Sequence, residues 1–282
     1  MADPDTSRRA GPRRPPCVLS IAGSDSGGGA GIQADLKAFA ACGVHGMTAI
    51  TAITAQNTVG VTAVEPVSPG LILAQVRAVA QDIGVDAIKI GMLGTTATIE
   101  AVARALDELG GRDRVPVVLD PVMVSESGAQ LLEPAARGAL MELLLPRVLV
   151  ATPNLAEARA LVGAVAPGDA RNDARNDDDA VEVARAVQAL GPGIVVVTGG
   201  HREQAIDIFY DGSEVVEIAG ERYPSHAAHG SGCTHSSVLA ARLAWGDSPL
   251  EAARVAKRRA SEAVRDGLAG VGAGPGPVNV LA

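Results

Sequence analysis

The chain has 282 residues, a net charge of −8 and only 2% aromatic residues, and an acidic chain with so few stacking side chains is not typical of a nucleic-acid binder. Hydrophobic residues make up 47% of the sequence, which is enough for a sizeable core. The three cysteines show no CxxC spacing, so neither a disulfide framework nor a zinc site is indicated, and we expect a reducing, cytoplasmic location. No apolar run approaches the ~18 residues of a membrane helix, so we expect no membrane contact.

The two ends of the chain differ in composition from its middle. Residues 1–16 are rich in arginine and proline and lack the apolar segment of a secretory signal, which predicts a disordered tail. We expect a single domain over residues 17–270 and a flexible C-terminal tail over 271–282. The polar stretch 167–179 contains a short DARN repeat and is predicted to be an exposed loop insertion.

Strand and helix patterns alternate along almost the whole domain. Strands are predicted at residues 17–22, 46–54, 60–65, 86–90, 115–119, 147–151, 193–198, 204–210 and 214–219. Helices are predicted at residues 30–42, 69–83, 95–109, 134–145, 154–162, 178–190, 231–245 and 249–267. Several strands are continuous apolar runs, typical of a parallel sheet covered by helices on both faces. The last two strands flank Asp211-Gly212-Ser213, which predicts an antiparallel hairpin near the end of a mainly parallel sheet.

A small-residue turn, HGSGCTHSS at residues 229–237, precedes one of these helices. Gly230, Ser231, Gly232 and Cys233 are predicted to lie at its first free N–H groups, which form an anion site together with the helix dipole. Cys233 is either a small buried residue or, because a helix N-terminus lowers the pKa of a thiol, a reactive thiolate.

A second glycine-rich stretch, GSDSGGGAGIQADLKAF at residues 23–39, follows the first strand and opens the first helix. Asp25 in this stretch is either a turn residue or an acceptor for a substrate hydroxyl. Two such loops in one chain favour a phosphate-handling enzyme with a substrate end and a nucleotide end. The sequence contains no Walker A motif and no full GxGxxG, so any ATP site is of another type.

Polar residues follow several of the predicted strands. Asn154 and Glu157 form either a helix-capping box or a pair that holds water on Mg²⁺ at the carboxyl end of a strand. Asp120 is either a turn former or a carboxylate at the edge where open α/β sheets bind ligands. Taken alone, Gln56 is more typical of a strand-end cap, and Met92 is more typical of a core residue.

These segments together resemble the hydroxymethylpyrimidine/phosphomethylpyrimidine kinases of thiamine biosynthesis, within the ribokinase-like superfamily. The matching segments are GSDSGGGAGIQADLKAF (23–39), ITAITAQNT (50–58), KIGML (89–93), LDPVM (119–123), TPNLAEA (152–158), VVVTGGH (195–201) and HGSGCT (229–234). The resemblance implies a ribokinase-like three-layer αβα sandwich that is a homodimer. It also implies MgATP-dependent phosphorylation of 4-amino-5-hydroxymethyl-2-methylpyrimidine, followed by phosphorylation of the monophosphate to the diphosphate.

The resemblance also implies roles for the matching residues. Gln56 would hydrogen-bond the aminopyrimidine, and the pocket would further be walled by Asp25, Gly28, Met92 and Val122. The nucleotide would be bound by Asn154, Thr198 and Gly200. Mg²⁺ would be held, mostly through water, by Asp120, Asn154 and Glu157. The catalytic anion hole would be formed by Gly230, Ser231, Gly232 and Cys233, the last of which stands where many ribokinase-like enzymes have an aspartate base.

Two departures from the family pattern affect these expectations. Thr198 stands where the family usually has a lysine that meets a nucleotide phosphate, and AAHGSGC replaces the common NTHGTGC, so Ala227 and Ala228 remove polar side chains. Two alternatives stay open: a pyridoxal or pyridoxine kinase, and a non-catalytic binding protein of the same fold. Gln56 followed by Asn57 and Thr58 favours the aminopyrimidine.

Overall fold

A sheet of eight strands forms the middle layer of the structure, a computed structural model that describes residues 14–163, 179–200, 205–223 and 227–282. The strands in chain order are β1 (Cys17–Ala22), β2 (His45–Ile50), β3 (Ala52–Gln56), β4 (Val61–Pro66), β5 (Ala87–Ile90), β6 (Val117–Leu119), β7 (Val150–Ala151), β8 (Ile194–Val197), β9 (Ile206–Tyr210) and β10 (Val215–Ala219). Eight of them form the central sheet in the order β10-β9-β8-β7-β6-β5-β1-β2, and β3 and β4 form a separate sheet. The neighbours from β2 to β8 are parallel and β8, β9 and β10 are antiparallel, so the hairpin lies at one edge as predicted.

Helices cover both faces of this sheet. They are α1 (Gly31–Ala41), α2 (Pro69–Asp82), α3 (Thr96–Glu108), α4 (Ala136–Ala139), α5 (Leu155–Leu161), α6 (Ala180–Gln188), α7 (Ser231–Ala244) and α8 (Pro249–Arg265). Helices α2 to α6 share one apolar core with the sheet, and α1, α7 and α8 share another. Alternate strand residues enter opposite cores, as Leu19 and Val18 do, so the predicted αβα sandwich is confirmed. Within the described ranges, no helix is both long and apolar enough to cross a membrane.

The predicted strand 46–54 is two strands in the structure. Thr51 separates them, since its N–H donates to the Ala22 carbonyl and its Oγ1 to the Met92 carbonyl. Beyond Thr51 the chain leaves the main sheet, and β3 pairs with β4 in a separate two-stranded sheet. A strand-like sequence pattern does not reveal its pairing partner, so periodicity alone could not divide this segment.

The predicted helix 134–145 changes its winding after α4. A wide π turn covers Leu140–Leu144, in which the N–H of Leu145 donates to the carbonyl of Leu140, and a 3₁₀ turn follows over Leu145–Arg147. Pro146 has no N–H to donate, so α-helical bonding does not resume after the π turn.

The C-terminal segment 271–282, expected to be a flexible tail, is folded against the rest of the chain. The N–H of Val278 donates to the carbonyl of His229, and the N–H of Asn279 donates to that of Ala263. The Val278 side chain is buried. Long-range hydrogen bonds therefore hold a glycine-rich sequence that local composition marks as loose. The predicted tail 1–16 and loop 167–179 lie almost entirely outside the described residues.

Candidate active site

The carboxyl ends of the parallel strands open into a cavity of about 390 Å³, a size suited to a small ligand. Most of the residues predicted for the site line it: Gln56, Met92, Asp120, Val122, Asn154, Glu157, Thr198, Gly200, Gly230, Ser231, Gly232 and Cys233. Thr198 follows β8, Asp120 follows β6 and Met92 follows β5, so strand order spreads these residues along one sheet edge. The β3–β4 hairpin with Gln56 follows β2 in the chain, and β2 is at the far end of that order. The cavity therefore has a Gln56 end and a Thr198 end.

The turn before α7 supplies the anion site. Gly230 has a φ of 87°, in the left-handed region, and a Cβ there would lie 1.8 Å from the Gly29 carbonyl oxygen. Only glycine fits this conformation and this close approach. The N–H of Ser231 donates to the Ala228 carbonyl, which removes one of the predicted free donors. The amides of Gly232 and Cys233 remain at the helix N-terminus for an anion.

The thiol of Cys233 is not the reactive thiolate that its position at a helix N-terminus suggests. Burial raises its pKa to about 12, and the neighbouring carboxylates Asp35 and Asp120 add to this rise against the opposing charge of Lys89. Cys233 therefore carries its proton at neutral pH. Of the two interpretations of the sequence, the neutral thiol is the one supported, and the half-buried Cys233 side chain lines the cavity.

Asp120 lies at the end of β6 beside the anion site. Ser236 Oγ donates to its Oδ2 at 3.1 Å, and a Cβ on Gly232 would lie 3.9 Å from the same oxygen. Burial raises the pKa of Asp120, while the charge of Lys89 opposes the rise. A nearby cation would favour the charged form of this buried carboxylate and so lower its pKa.

A buried ion pair beneath the site was not predicted from the sequence. Lys89 Nζ lies 2.8 Å from Asp35 Oδ1, and both side chains are fully buried. Ser237 and Ser20 donate to the same carboxylate at 2.8 and 2.6 Å. Burial favours the neutral lysine, but the charges of Asp35 and next of Asp120 hold the pKa of Lys89 above its ordinary value. The signal available in the sequence was a lysine inside the apolar strand Ala87–Ile90.

Asn154 and Glu157 form the capping box that one interpretation of the sequence predicts. The N–H of Asn154 donates to Glu157 Oε2 and the N–H of Glu157 donates to Asn154 Oδ1, each at 2.9 Å. Both residues also line the cavity, so the structural and the functional interpretations are compatible. The described residues include no group of three or more His, Cys, Asp or Glu that would ligate a metal. Asp120, Asn154 and Glu157 all line the cavity, and their carboxylate and amide oxygens are of the ligand type that Mg²⁺ prefers.

A second buried charge cluster, also missed from the sequence, lines the Thr198 end. Lys257 Nζ and the N–H of Gly199 both bond to Asp207 Oδ1, at 2.6 and 2.8 Å, and His235 Nε2 lies 3.1 Å from Asp207 Oδ2. Burial favours the protonated acid, but the contacts with His235, Lys257 and Gly199 hold the pKa of Asp207 below its usual value. Lys257 brings an ammonium to the end of the cavity where Thr198 lacks one.

Asp25 and Gly28 were predicted to wall the substrate pocket, but among the described residues they are not part of its lining. The oxygens of Asp25 accept from Gly27 and Ala30 at 2.8 Å and from Gly29 at 3.0 Å. Burial acts to raise the pKa of Asp25, yet the contact with His229 and these backbone bonds hold it below 3.8. Asp25 therefore shapes the loop, and the carbonyl of Gly28 accepts from Lys37 Nζ at 2.6 Å.

Comparison with known proteins decides the family. The family model described as phosphomethylpyrimidine kinase matches residues 25–279. The chain belongs to the phosphomethylpyrimidine kinase family. A hydroxymethylpyrimidine/phosphomethylpyrimidine kinase of Rhizobium meliloti is 49% identical over 266 residues, which cover 93% of this chain and 96% of that relative.

Solved structures of other kinases share the fold with this family member. The ADP complex of Bacillus subtilis pyridoxal kinase has a TM-score of 0.82 and 38% identity, and covers 94% of this chain and 97% of that one. Clostridium difficile phosphomethylpyrimidine kinase has a TM-score of 0.73 and 39% identity, and covers 86% and 96%. The chain is accordingly a kinase, a phosphotransferase that uses ATP, which removes the non-catalytic alternative.

Proposed function

We propose that this kinase phosphorylates 4-amino-5-hydroxymethyl-2-methylpyrimidine with MgATP, and then phosphorylates the monophosphate to the diphosphate, in thiamine biosynthesis. The observation that carries the proposal is one cavity that runs along the sheet edge from Gln56 to Thr198 and includes the turn before α7. An acceptor bound at the Gln56 end and a nucleotide bound at the Thr198 end would meet at this turn.

The acceptor end suits an aminopyrimidine. Ser26 Oγ donates to the carbonyl of Gln56 at 2.6 Å and accepts from its N–H at 2.8 Å, which fixes this residue in the hairpin. The Gln56 amide has both a donor and an acceptor, as needed for the ring nitrogen and amino group of the substrate. Met92 and Val122 supply apolar wall for the ring.

Phosphoryl transfer depends mainly on positioning and on stabilising negative charge. The amides of Gly232 and Cys233 and the positive end of the α7 dipole supply that stabilisation where the phosphoryl group passes. The acceptor alcohol loses its proton late in a loose transition state, so a strong resting base is not required. We assign neutral Cys233 to contact with the hydroxymethyl group.

The nucleotide end combines small residues with the ammonium of Lys257, which is ion-paired with Asp207. Thr198 and Gly200 leave room for phosphates, and Lys257 provides the nearby ammonium. Asp120, Asn154 and Glu157 would hold Mg²⁺, mostly through water, and the bound ion neutralises phosphate charge.

The test is ADP release with MgATP against three acceptors, namely the hydroxymethylpyrimidine, its monophosphate and pyridoxal, with ³¹P NMR of the products. Formation of the diphosphate from the monophosphate is the expected result. Gln56→Leu should raise the acceptor KM by about tenfold or more, because a buried polar group of the substrate loses its partner. The exposed Gln81 on α2 provides the matched control Gln81→Leu, which should change neither the acceptor KM nor the KM for ATP.

A second candidate function is phosphorylation of pyridoxal, favoured by the similarity to pyridoxal kinases given above. If pyridoxal alone is phosphorylated, the kinase acts on pyridoxal, and both the aminopyrimidine as substrate and the role given to Gln56 are wrong. Absence of turnover with all three acceptors would contradict both candidate substrates.

We also propose that the kinase is a homodimer. The two-stranded β3–β4 sheet supports this, because its Ile53 side chain is 50% exposed and an interface would cover this large apolar group. Light scattering should give twice the chain mass for the wild type and a lower mass for Ile53→Glu.

A further inference from the structure

The C-terminal strap, residues 268–279, contacts the turn of the β3–β4 hairpin. The N–H of Gly274 donates to Thr58 Oγ1 at 3.2 Å. A Cβ on Gly274 would lie 1.9 Å from the Thr58 carbonyl oxygen, and one on Gly272 would lie 2.1 Å from Thr58 Oγ1. The strap therefore rests directly on the backbone two residues beyond Gln56.

The other end of the strap is bonded to the residue that precedes the anion-site turn. The carbonyl of Gly276 accepts from the N–H of His229 at 3.2 Å, and the N–H of Val278 donates to the carbonyl of His229 at 3.0 Å. A Cβ on Gly29 would lie 3.0 Å from Pro277 Cβ, so the strap also contacts the glycine-rich loop.

These attachments close a ring of contacts around the acceptor end. Gln56 bonds to Ser26 of the glycine-rich loop, and Asp25 of the same loop contacts His229. His229 and Thr58 are then joined through the strap. Among the described residues, none of the strap lines the cavity, so any effect on the acceptor passes through other residues.

We propose that Thr58 and Gly274 are positioning residues, through which the strap fixes Gln56 relative to the turn at residues 230–233 and so sets the affinity for the acceptor. This inference rests on the proposed function, because it takes Gln56 as the acceptor contact. The nucleotide end at Thr198 is at the other end of the sheet edge, and among the described residues no backbone hydrogen bond joins Thr198 to the strap.

Gly274→Ala and Gly270→Ala form a matched pair of test variants. Neither glycine has a left-handed φ, and a Cβ on Gly270 meets no atom within 4 Å. Gly274→Ala should raise the acceptor KM by about tenfold through displacement of the hairpin. The KM for ATP should stay within about twofold of wild type, as a loss confined to acceptor binding requires. Gly270→Ala should match the wild type in both.

Thr58→Val and Thr58→Ser test the hydrogen bond without added bulk. Thr58→Val removes the hydroxyl oxygen that accepts from the Gly274 N–H, and it should raise the KM for the phosphoryl acceptor as Gly274→Ala does. Thr58→Ser keeps the hydroxyl and should have the wild-type KM. Hydrogen exchange of the peptide 52–66 should be faster in Gly274→Ala than in Gly270→Ala. This readout does not depend on the substrate.

Equal acceptor KM values for the Gly274 and Gly270 variants would overturn the proposal, as would equal rises of both KM values with a lower Tm. If the wild type does not phosphorylate the hydroxymethylpyrimidine, the proposed function fails instead. The hydrogen-exchange comparison then tests by itself whether the strap fixes the hairpin. Equal exchange of peptide 52–66 in the two glycine variants would show that it does not. If Gly274→Ala does not fold, the Thr58 variants give the same decision.

Discussion

His229 Nε2 lies 2.9 Å from Asp25 Oδ2, and this contact joins two loops that are distant in the sequence. His229 immediately precedes the Gly230 turn, and Asp25 organises the amides of Gly27, Gly29 and Ala30. Asp25 thus contacts the residue before Gly230 and also the amide of Gly29, and these contacts stabilise the close packing of Gly230 on Gly29. The anion site at α7 is thus supported by the first glycine-rich loop.

Gly230→Ala should abolish most activity. The added methyl would meet the Gly29 carbonyl and displace the turn, so kcat/KM should fall by about 100-fold or more. Gly246→Ala is the control, since Gly246 has a φ of 93° and open space around it. It should lower stability by about 1–2 kcal/mol through backbone strain and leave kcat/KM unchanged. Similar activity losses in both variants would show that strain alone is responsible.

Asp25→Asn should destabilise the fold at neutral pH by about 1–3 kcal/mol, because a buried acceptor of several hydrogen bonds is altered. The folded-state pKa of Asp25 lies below 3.8, so its carboxylate stabilises the fold above that pH and the contribution is lost as the pH falls further. The difference in Tm between wild type and variant should therefore shrink in acid. The exposed Asp113→Asn serves as the control. A difference that grows as the pH is lowered would contradict the prediction.

Cys233 should react slowly with iodoacetamide in the folded protein. With a pKa of about 12 its thiolate fraction is small, so the rate should rise about tenfold per pH unit between about pH 7 and 9. Mass spectrometry of the alkylated peptide measures this rate, with the unfolded chain as the reference. A plateau within this pH range would instead indicate a reactive thiolate.

Cys233→Ala tests whether this residue takes the substrate proton. If Cys233 were the general base, its removal would lower kcat by roughly 10²–10⁴-fold. We expect a smaller fall in kcat, because the resting thiol is neutral and contacts the hydroxymethyl group. A loss within the larger range would show that Cys233 acts as the base.

Lys89→Met should destabilise the protein by about 3–5 kcal/mol, because it leaves the buried Asp35 carboxylate unpaired. The double variant Lys89→Met/Asp35→Leu should recover part of this loss in urea denaturation. Arg77→Met, which breaks an exposed ion pair with Glu108, should have little effect. A double variant less stable than the single one would contradict a cost due to the uncompensated charge.

Thr198→Lys should lower the KM for ATP by about fivefold, since it adds an ammonium at the nucleotide end. The acceptor KM should not change, and the uncharged Thr198→Val should leave the KM for ATP near the wild-type value. An unchanged or higher KM for ATP in Thr198→Lys would show that the side chain at this position does not reach the phosphates.

Much of the fold could be predicted from the sequence because its signals are local. Alternating apolar residues in strands, helical periodicity and the turn at Asp211-Gly212-Ser213 gave the parallel sheet and its edge hairpin. The break at Thr51 could not be found in this way, since it depends on bonds to Ala22 and Met92. Strand pairing is a contact between distant residues and leaves no mark in local periodicity.

The candidate site divides in the same manner. The resemblance of whole motifs to a known family selected Gln56, Asp120, Asn154 and Glu157, which the structure brings to one cavity. Asp25 has the same kind of motif support, but its oxygens are used within its own loop. Whether a polar side chain faces a ligand or the backbone depends on the surrounding fold.

By itself the sequence determined most of the strands and helices, the glycine-rich turn at α7 and membership of the kinase family, because each depends on residue types at fixed spacing. The tertiary structure alone decided the neutral state of Cys233, the buried pair of Lys89 and Asp35, and the attachment of the strap to Thr58. These features depend on burial and on contacts between residues far apart in the chain. Burial sets the cost of a charge, and only the folded chain defines what is buried.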